Sequence, residues 1–186
     1  HGEGDIDIES LIKEETNVVT LTHFGYVKRI AADVYRSQKR GGKGLTAMNT
    51  REEDFVEQLF VTSTHDYIMF FTNTGKAFRL KAYELPEASR TSKGTAIVNL
   101  LQLAQGEKIA AVIPVKDYSS DLYVLMATKN GLIKKTKLEE YSNIRKTGIQ
   151  GITLKEDDEL IDVRLTDGSN DIIMAVSYTH LTLPTT

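Results

Sequence analysis

Three segments of this chain superimpose, and that constrains its fold more than any other feature. Thr22-His23-Phe24-Gly25-Tyr26-Val27-Lys28-Arg29-Ile30 matches Thr72-Asn73-Thr74-Gly75-Lys76-Ala77-Phe78-Arg79-Leu80. Both match Thr128-Lys129-Asn130-Gly131-Leu132-Ile133-Lys134-Lys135-Thr136. The glycines are spaced by 50 and then 56 residues. A second landmark keeps step: Lys43-Gly44, Lys93-Gly94 and Gln150-Gly151 lie 19, 19 and 20 residues after the first glycine.

Each copy reads as four strands. The first is apolar and β-branched or aromatic: Val18 to Leu21, Ile68 to Phe71, Val124 to Met126. A glycine turn follows. Asn130-Gly131 between apolar runs predicts a tight hairpin with positive φ at both central positions. The second strand is basic. A long connection comes next (Ala31 to Gly44, Lys81 to Gly94, Lys137 to Gly151), then a third strand (Leu45 to Met48, Thr95 to Val98, Ile152 to Leu154). A fourth strand (Val56 to Thr62, Ile109 to Val115, Leu160 to Leu165) closes the copy. No extended helical periodicity is visible, although short helical turns are admissible near Arg51 to Asp54. The expected class is all-β, a propeller-like array of about three four-stranded blades, because one four-stranded sheet cannot cover its own apolar face. The blades are expected at about 17–67, 68–121 and 122–172, after an acidic linker at 1–16. Ile173 to Ser177 resembles another first strand, but the turn glycine is replaced by His180. Residues 178–186 are therefore expected to be an atypical tail, foreign or left by truncation. His1 is not Met, which fits a piece of a longer protein.

Charge is sorted within each copy. Residues 26–44 hold Lys28, Arg29, Arg36, Lys39, Arg40 and Lys43 against Asp33, net +5. Residues 76–94 hold Lys76, Arg79, Lys81, Arg90 and Lys93 against Glu84 and Glu87, net +3. Residues 132–151 hold Lys134, Lys135, Lys137, Arg145 and Lys146 against Glu139 and Glu140, again +3. The whole chain is −3, so the remainder carries −14. In a radial array, equivalent positions would fall on one surface and form a basic stripe, the footprint of a nucleic-acid backbone. No base-reading helix is legible, so readout is expected through phosphates and DNA deformability.

Composition excludes little else. There is no cysteine, hence no disulfide or thiolate metal site, which fits a reducing cytosol. No apolar run reaches the roughly 20 residues of a membrane span, and no signal peptide is visible.

The densest local signal is Gln38-Lys39-Arg40-Gly41-Gly42-Lys43-Gly44. Three cations within five residues can meet successive phosphates, and the glycines let backbone N–H groups approach them. A nucleotide P-loop would need Gly five positions before Gly42, where Ser37 stands, and Ser or Thr after Lys43, where Gly44 stands.

This box resembles the signature box of the C-terminal domain of the DNA gyrase A protein, where the second residue is usually Arg. Similar to that family too are Val19 to Arg29, Glu52-Glu53-Asp54-Phe55, Leu85-Pro86-Glu87-Ala88-Ser89-Arg90, Ile97-Val98-Asn99-Leu100-Leu101, and Asn130-Gly131 with Lys134-Lys135-Thr136. The resemblance runs from about Asp5 to Val176. It implies a β-pinwheel whose blades exchange strands, six in the family and about three here. It implies a basic rim that wraps double-stranded DNA and so supports negative supercoiling. It implies as partners the rest of the gyrase A protein and the gyrase B protein, in an A2B2 assembly, with ATP and Mg²⁺ used by the holoenzyme and no cofactor in this segment. The box belongs to the first blade and separates gyrase from its topoisomerase IV paralogue. The alternatives are an accessory domain of topoisomerase IV and a protein-interaction propeller that binds no nucleic acid.

No catalytic constellation is legible. Tyr35 invites attention because type II topoisomerases cleave with a tyrosine, but that nucleophile lies in a different motif, so Tyr35 is expected to pack or to face DNA. His23 and His65 lack clustered ligand spacing. Glu156-Asp157-Asp158-Glu159 is expected to be a solvated acidic loop.

Overall fold

The short apolar runs become central strands. In the computed structural model, which describes residues 8–40, 53–168 and 172–173, β1 (Thr16–Thr22), β4 (Tyr67–Thr72) and β8 (Tyr123–Thr128) each lie between two neighbours. Five consecutive residues of β1 and of β4 are buried, as expected of strands covered on both faces. Each central strand runs antiparallel to the second strand of its copy: β2 (Tyr26–Ala31), β5 (Lys76–Lys81) or β9 (Ile133–Lys137). On its other side it pairs with the fourth strand: β3 (Val56–Ser63), β7 (Ile109–Val115) or β11 (Leu160–Thr166).

The remaining strands depart from the contiguous layout read from the repeat and are exchanged between copies, as the resemblance implies. β6 (Thr95–Ala96), from the second copy, pairs with β2 of the first, Thr95 opposite Val27. β10 (Ile149–Gln150), from the third copy, pairs with β5 of the second, Ile149 opposite Ala77. These two third strands thus complete the sheet of the copy before them, and sheet membership among the described residues does not follow the contiguous blades 17–67, 68–121 and 122–172. The expected third strands at Thr95 to Val98 and Ile152 to Leu154 shift accordingly. Ile97–Asn99 is a 3-10 turn, and the third copy's strand lies three residues earlier than predicted. The structural counterpart of Gly94 is therefore Gly148 rather than Gly151, since each immediately precedes its strand and has positive φ (93° and 85°). The predicted strand Leu45 to Met48, the turns near Arg51 and the tail 178–186 lie outside the described residues, except for Glu53 and Asp54. β12 (Ile172–Ile173) pairs with β11.

One further departure is a helix, α1 (Ala32–Arg40), in the first connection, where no helix was expected. Nine residues are too few for apolar periodicity to register. Asp33 in the first turn complements the helix dipole. The second and third connections carry only 3-10 turns, Ala82–Glu84 and Leu138–Tyr141.

The turns between first and second strands share one chemistry. In Thr22-x-x-Gly25, Thr72-x-x-Gly75 and Thr128-x-x-Gly131, the glycine N–H donates to the threonine carbonyl at 3.0, 2.9 and 3.0 Å. The next N–H donates to the threonine Oγ1 at 3.1, 3.2 and 3.0 Å. Only the glycine has positive φ, and no non-glycine among the described residues does. Asn130-Gly131 is therefore not a two-residue turn with two left-handed positions; the loop is one residue longer, closed by a left-handed glycine.

Two compact units result. The first holds the described residues up to Asp66 with Lys81–Ile97; the second holds Tyr67–Leu80 and the described residues from Val98 onward. The first buries Val18, Leu21, Val27, Ile30 and Phe60. Its N-terminal residues are fastened to the loop after β3: Glu15 N–H donates to Thr64 Oγ1 (3.1 Å), and Thr64 Oγ1 donates to Lys13 O (2.8 Å). The second unit packs Met69, Phe71, Ile113, Val124, Met126, Leu138 and Val163 into one core. At roughly 1.5–3 kcal/mol per fully buried large apolar side chain, such clusters supply most of the drive to fold.

Candidate nucleic-acid interface

The basic residues divide into those used by the fold and those left outward. In the first unit, Lys28 leaves β2 and its ammonium donates to the carbonyls of Ser89 (3.0 Å), Arg90 (2.7 Å) and Ser92 (2.7 Å). Burial pushes the Lys28 pKa down, and the Arg90 charge adds to this. Arg29 Nε donates to Leu85 O (2.8 Å), with its Nη1 toward Asn17 Oδ1 (3.4 Å). Arg90 lies over the Tyr35 ring, 5.0 Å from its centroid, and Lys93 over Tyr26 at 4.4 Å. Arg36 and Lys93 are exposed.

The second unit repeats the pattern. Arg79 occupies the strand position of Arg29 and stacks on Tyr67 (4.1 Å) and Tyr118 (5.4 Å). Lys135, the next equivalent, lies 4.9 Å from the Tyr123 ring centroid. Asn17, Tyr67 and Tyr123 are themselves equivalent, so the cation four residues after each turn glycine reaches across to the start of its central strand. Lys134 donates to Gly151 O (2.9 Å), and Lys76 lies 5.4 Å from Phe78. Lys137, Arg145 and Lys146 are exposed, with no side-chain partner among the described residues. Gln38, Lys39 and Arg40 end α1; their side chains, and Gly41, Gly42, Lys43 and Gly44, lie outside the described residues.

The acidic remainder also has a place, one that sequence reasoning missed. A carboxylate just before each fourth strand fastens the hairpin turn of its copy. Asp54 Oδ1 accepts from Phe24 N–H (2.8 Å) and Phe55 N–H (3.0 Å). Asp158 Oδ1 accepts from Asn130 N–H (2.9 Å) and Glu159 N–H (2.8 Å). In the second copy Glu107 Oε2 accepts from the hydroxyls of Thr72 and Thr74, both at 2.6 Å. Burial raises the Glu107 pKa, but these bonds, the Ala104 N–H and the Lys76 charge outweigh it and hold the carboxyl below its ordinary value. Asp158 is thus a turn anchor within the acidic run, while Glu156 and Asp157 are exposed. A recurring acid before strand four was visible in all three copies, but its spacing from the turn varies.

The residues weighed as alternatives have ordinary partners. Tyr35 packs on Arg90. His23 stacks on Phe55 at 4.8 Å, its Nδ1 2.6 Å from Glu57 Oε2. His65 Nε2 is 2.9 Å from Ile12 O. Among the described residues no helix is long and apolar enough to cross a membrane.

Comparison with known proteins agrees with this architecture. A family model described as "DNA gyrase C-terminal domain, beta-propeller" matches residues 16–63, 66–116 and 122–167. The DNA gyrase A protein of Clostridium acetobutylicum is 57% identical over 175 residues, which are 94% of this chain and 21% of that protein. Its Halalkalibacterium halodurans counterpart is 50% identical over 166 residues, 89% of this chain and 20% of that protein. The chain thus spans about a fifth of the length of these relatives. Among solved structures, the C-terminal domain of a DNA topoisomerase IV is 32% identical with a TM-score of 0.72, over 86% of this chain and 48% of that one. A DNA gyrase A C-terminal domain is 27% identical with a TM-score of 0.59, over 82% and 48%. With three matched segments, each spanning one turn glycine and the acid-anchored strand after it, the chain belongs to the family of DNA gyrase C-terminal domains of the beta-propeller type.

Proposed function

We propose that this chain binds duplex DNA through its phosphates, without base readout, and wraps it in support of negative supercoiling by a gyrase. The observation that carries the reading is the sorting of charge: Asp54, Glu107 and Asp158 are committed to turns, while Arg36, Lys93, Lys137, Arg145 and Lys146 remain exposed on the basic segments. An acidic chain (net −3) can then still present cations to a polyanion. The cations of the box Gln38 to Gly44 are proposed to meet phosphates as well. The partners are duplex DNA, the rest of the gyrase A protein and the gyrase B protein, in an A2B2 assembly in the bacterial cytoplasm. ATP and Mg²⁺ act in the other parts of that enzyme.

Binding of a plain duplex should weaken with salt with a log–log slope near −0.9 for each phosphate neutralised. Salt-independent binding, or none at moderate salt, would sink the reading in favour of a protein-interaction module. The higher TM-score against the topoisomerase IV domain favours a second reading, an accessory domain of that enzyme. Supercoiling against decatenation by the full-length protein with its partner protein separates the two.

A further inference from the structure

The segment Ser89 to Lys93 commits three carbonyls to one side chain and leaves two backbone N–H groups without an acceptor among the described residues. Three of its carbonyls converge on one ammonium, that of Lys28. Ser92 N–H and Oγ both return to Ser89 O, at 3.2 and 3.1 Å, which closes the turn on itself. The backbone N–H groups of Arg90 and Thr91 have no acceptor among the described residues. Ser89, Thr91, Ser92 and Lys93 are exposed. The turn is held from three sides. Lys28 grips it from β2, Tyr35 of α1 supports the Arg90 guanidinium, and Gly94 seats it against β2, where a Cβ would lie 2.6 Å from Val27 O.

Lys28, Arg90 and Lys93 form no ion pair with any carboxylate among the described residues, and Arg90 Nη1 is buried without a hydrogen-bond partner. With three of its carbonyls drawn to one cation, the turn leaves the Arg90 and Thr91 N–H groups, the positive ends of peptide dipoles, without an acceptor among the described residues, an arrangement suited to an oxyanion. Arg90 and Lys93 reinforce it, and of the Ser89 and Thr91 hydroxyls, which share a 3.4 Å hydrogen bond, the one that accepts keeps a donor that suits a phosphate oxygen.

We propose that Ser89–Lys93 is a phosphate-binding turn for the DNA backbone, and that Lys28 and Tyr35 are positioning residues that act through it. The proposal rests on the DNA-binding reading and deepens it: Lys28, a rim contact in the linear sequence, works from behind the turn, and the outward group is Lys93. The first and second copies build the site together, since Lys28 and Tyr35 belong to one and the turn to the other.

A double-mutant cycle on the whole chain tests this. The salt slope of binding to a plain duplex is measured for wild type, Lys93→Gln, Lys28→Met and the double variant, with circular dichroism to show that each is folded. Lys93→Gln should make the slope shallower by about 0.9, and Lys28→Met by a similar amount, with little further loss in the double variant. An additive loss of about 1.8 would make Lys28 a direct phosphate contact and overturn the proposal. So would an unchanged slope for Lys93→Gln. Tyr35→Ala should follow Lys28→Met and Tyr35→Phe should restore wild-type behaviour; equal slopes for both would also count against it, and this pair decides should Lys28→Met not fold. Lys146→Gln, in the second unit, reports on the underlying reading. If it lowers the slope while Lys93→Gln does not, only the turn falls; if wild type binds no DNA, both fall.

Discussion

At Gly75 two demands coincide. Its φ is +89°, and an added Cβ would lie 2.5 Å from Ile152 O. Gly131 has φ +95° and open space around it. Gly131→Ala should therefore lose only the left-handed penalty, about 1 kcal/mol, while Gly75→Ala should lose appreciably more, of order 1–3 kcal/mol beyond it. Urea unfolding of the two variants checks the ordering. Glu107 makes a second prediction at this scale. Its pKa in the fold is depressed below 4.5, so it stabilises the fold above that pH and loses the contribution as pH falls through the lowered value. Thermal melts should decline more steeply for wild type than for Glu107→Gln, which starts less stable, as the pH is taken down through the acid range. The threonine and glycine of each turn were legible in the sequence. The Glu107 bond to Thr72 was not, because nothing local in a loop marks its distant partner.

Among the elements, β9 stands apart from β2 and β5. Val27 and Ala77 are fully buried and pair with β6 and β10, whereas Leu132 and Ile133 are 47% and 58% exposed, and β9 is an edge strand among the described residues. Edge strands present unpaired N–H groups. Amide exchange should therefore be slow along both β2 and β5 at their pairing with the short strands, and fast on the outer side of β9; uniform protection of β9 would contradict this. Lys134, Lys135 and Lys137 discourage pairing of this edge with a like-charged copy. First and fourth strands could be read from apolar runs bounded by turns. α1 could not, since its helix is short and mostly polar. The third strands were misjudged because two-residue strands carry no periodicity.

For the whole molecule, binding to a polyanion must overcome a net charge of −3. Neutralising Lys137, Arg145 and Lys146 together should make the salt slope shallower by at most about 2.7 while leaving stability nearly unchanged, because exposed side chains without partners contribute little to folding. A large fall in melting temperature in that variant would show that these cations serve the fold instead. By contrast, Arg79→Ala should destabilise the protein by about 1 kcal/mol or more through loss of its stacking on Tyr67 and Tyr118.

The sequence by itself determined the repeat, the all-β class and the sorting of charge, because turn glycines, apolar runs and the sign of a side chain are local properties. Only the tertiary structure decided which copy receives each third strand, and which cations are spent inside the fold. Both depend on pairings between residues far apart in the chain, such as Val27 with Thr95 or Lys28 with Ser92, and no local pattern encodes them. Lys28 and Lys93 look alike in the repeat; one is enclosed by carbonyls and the other faces outward.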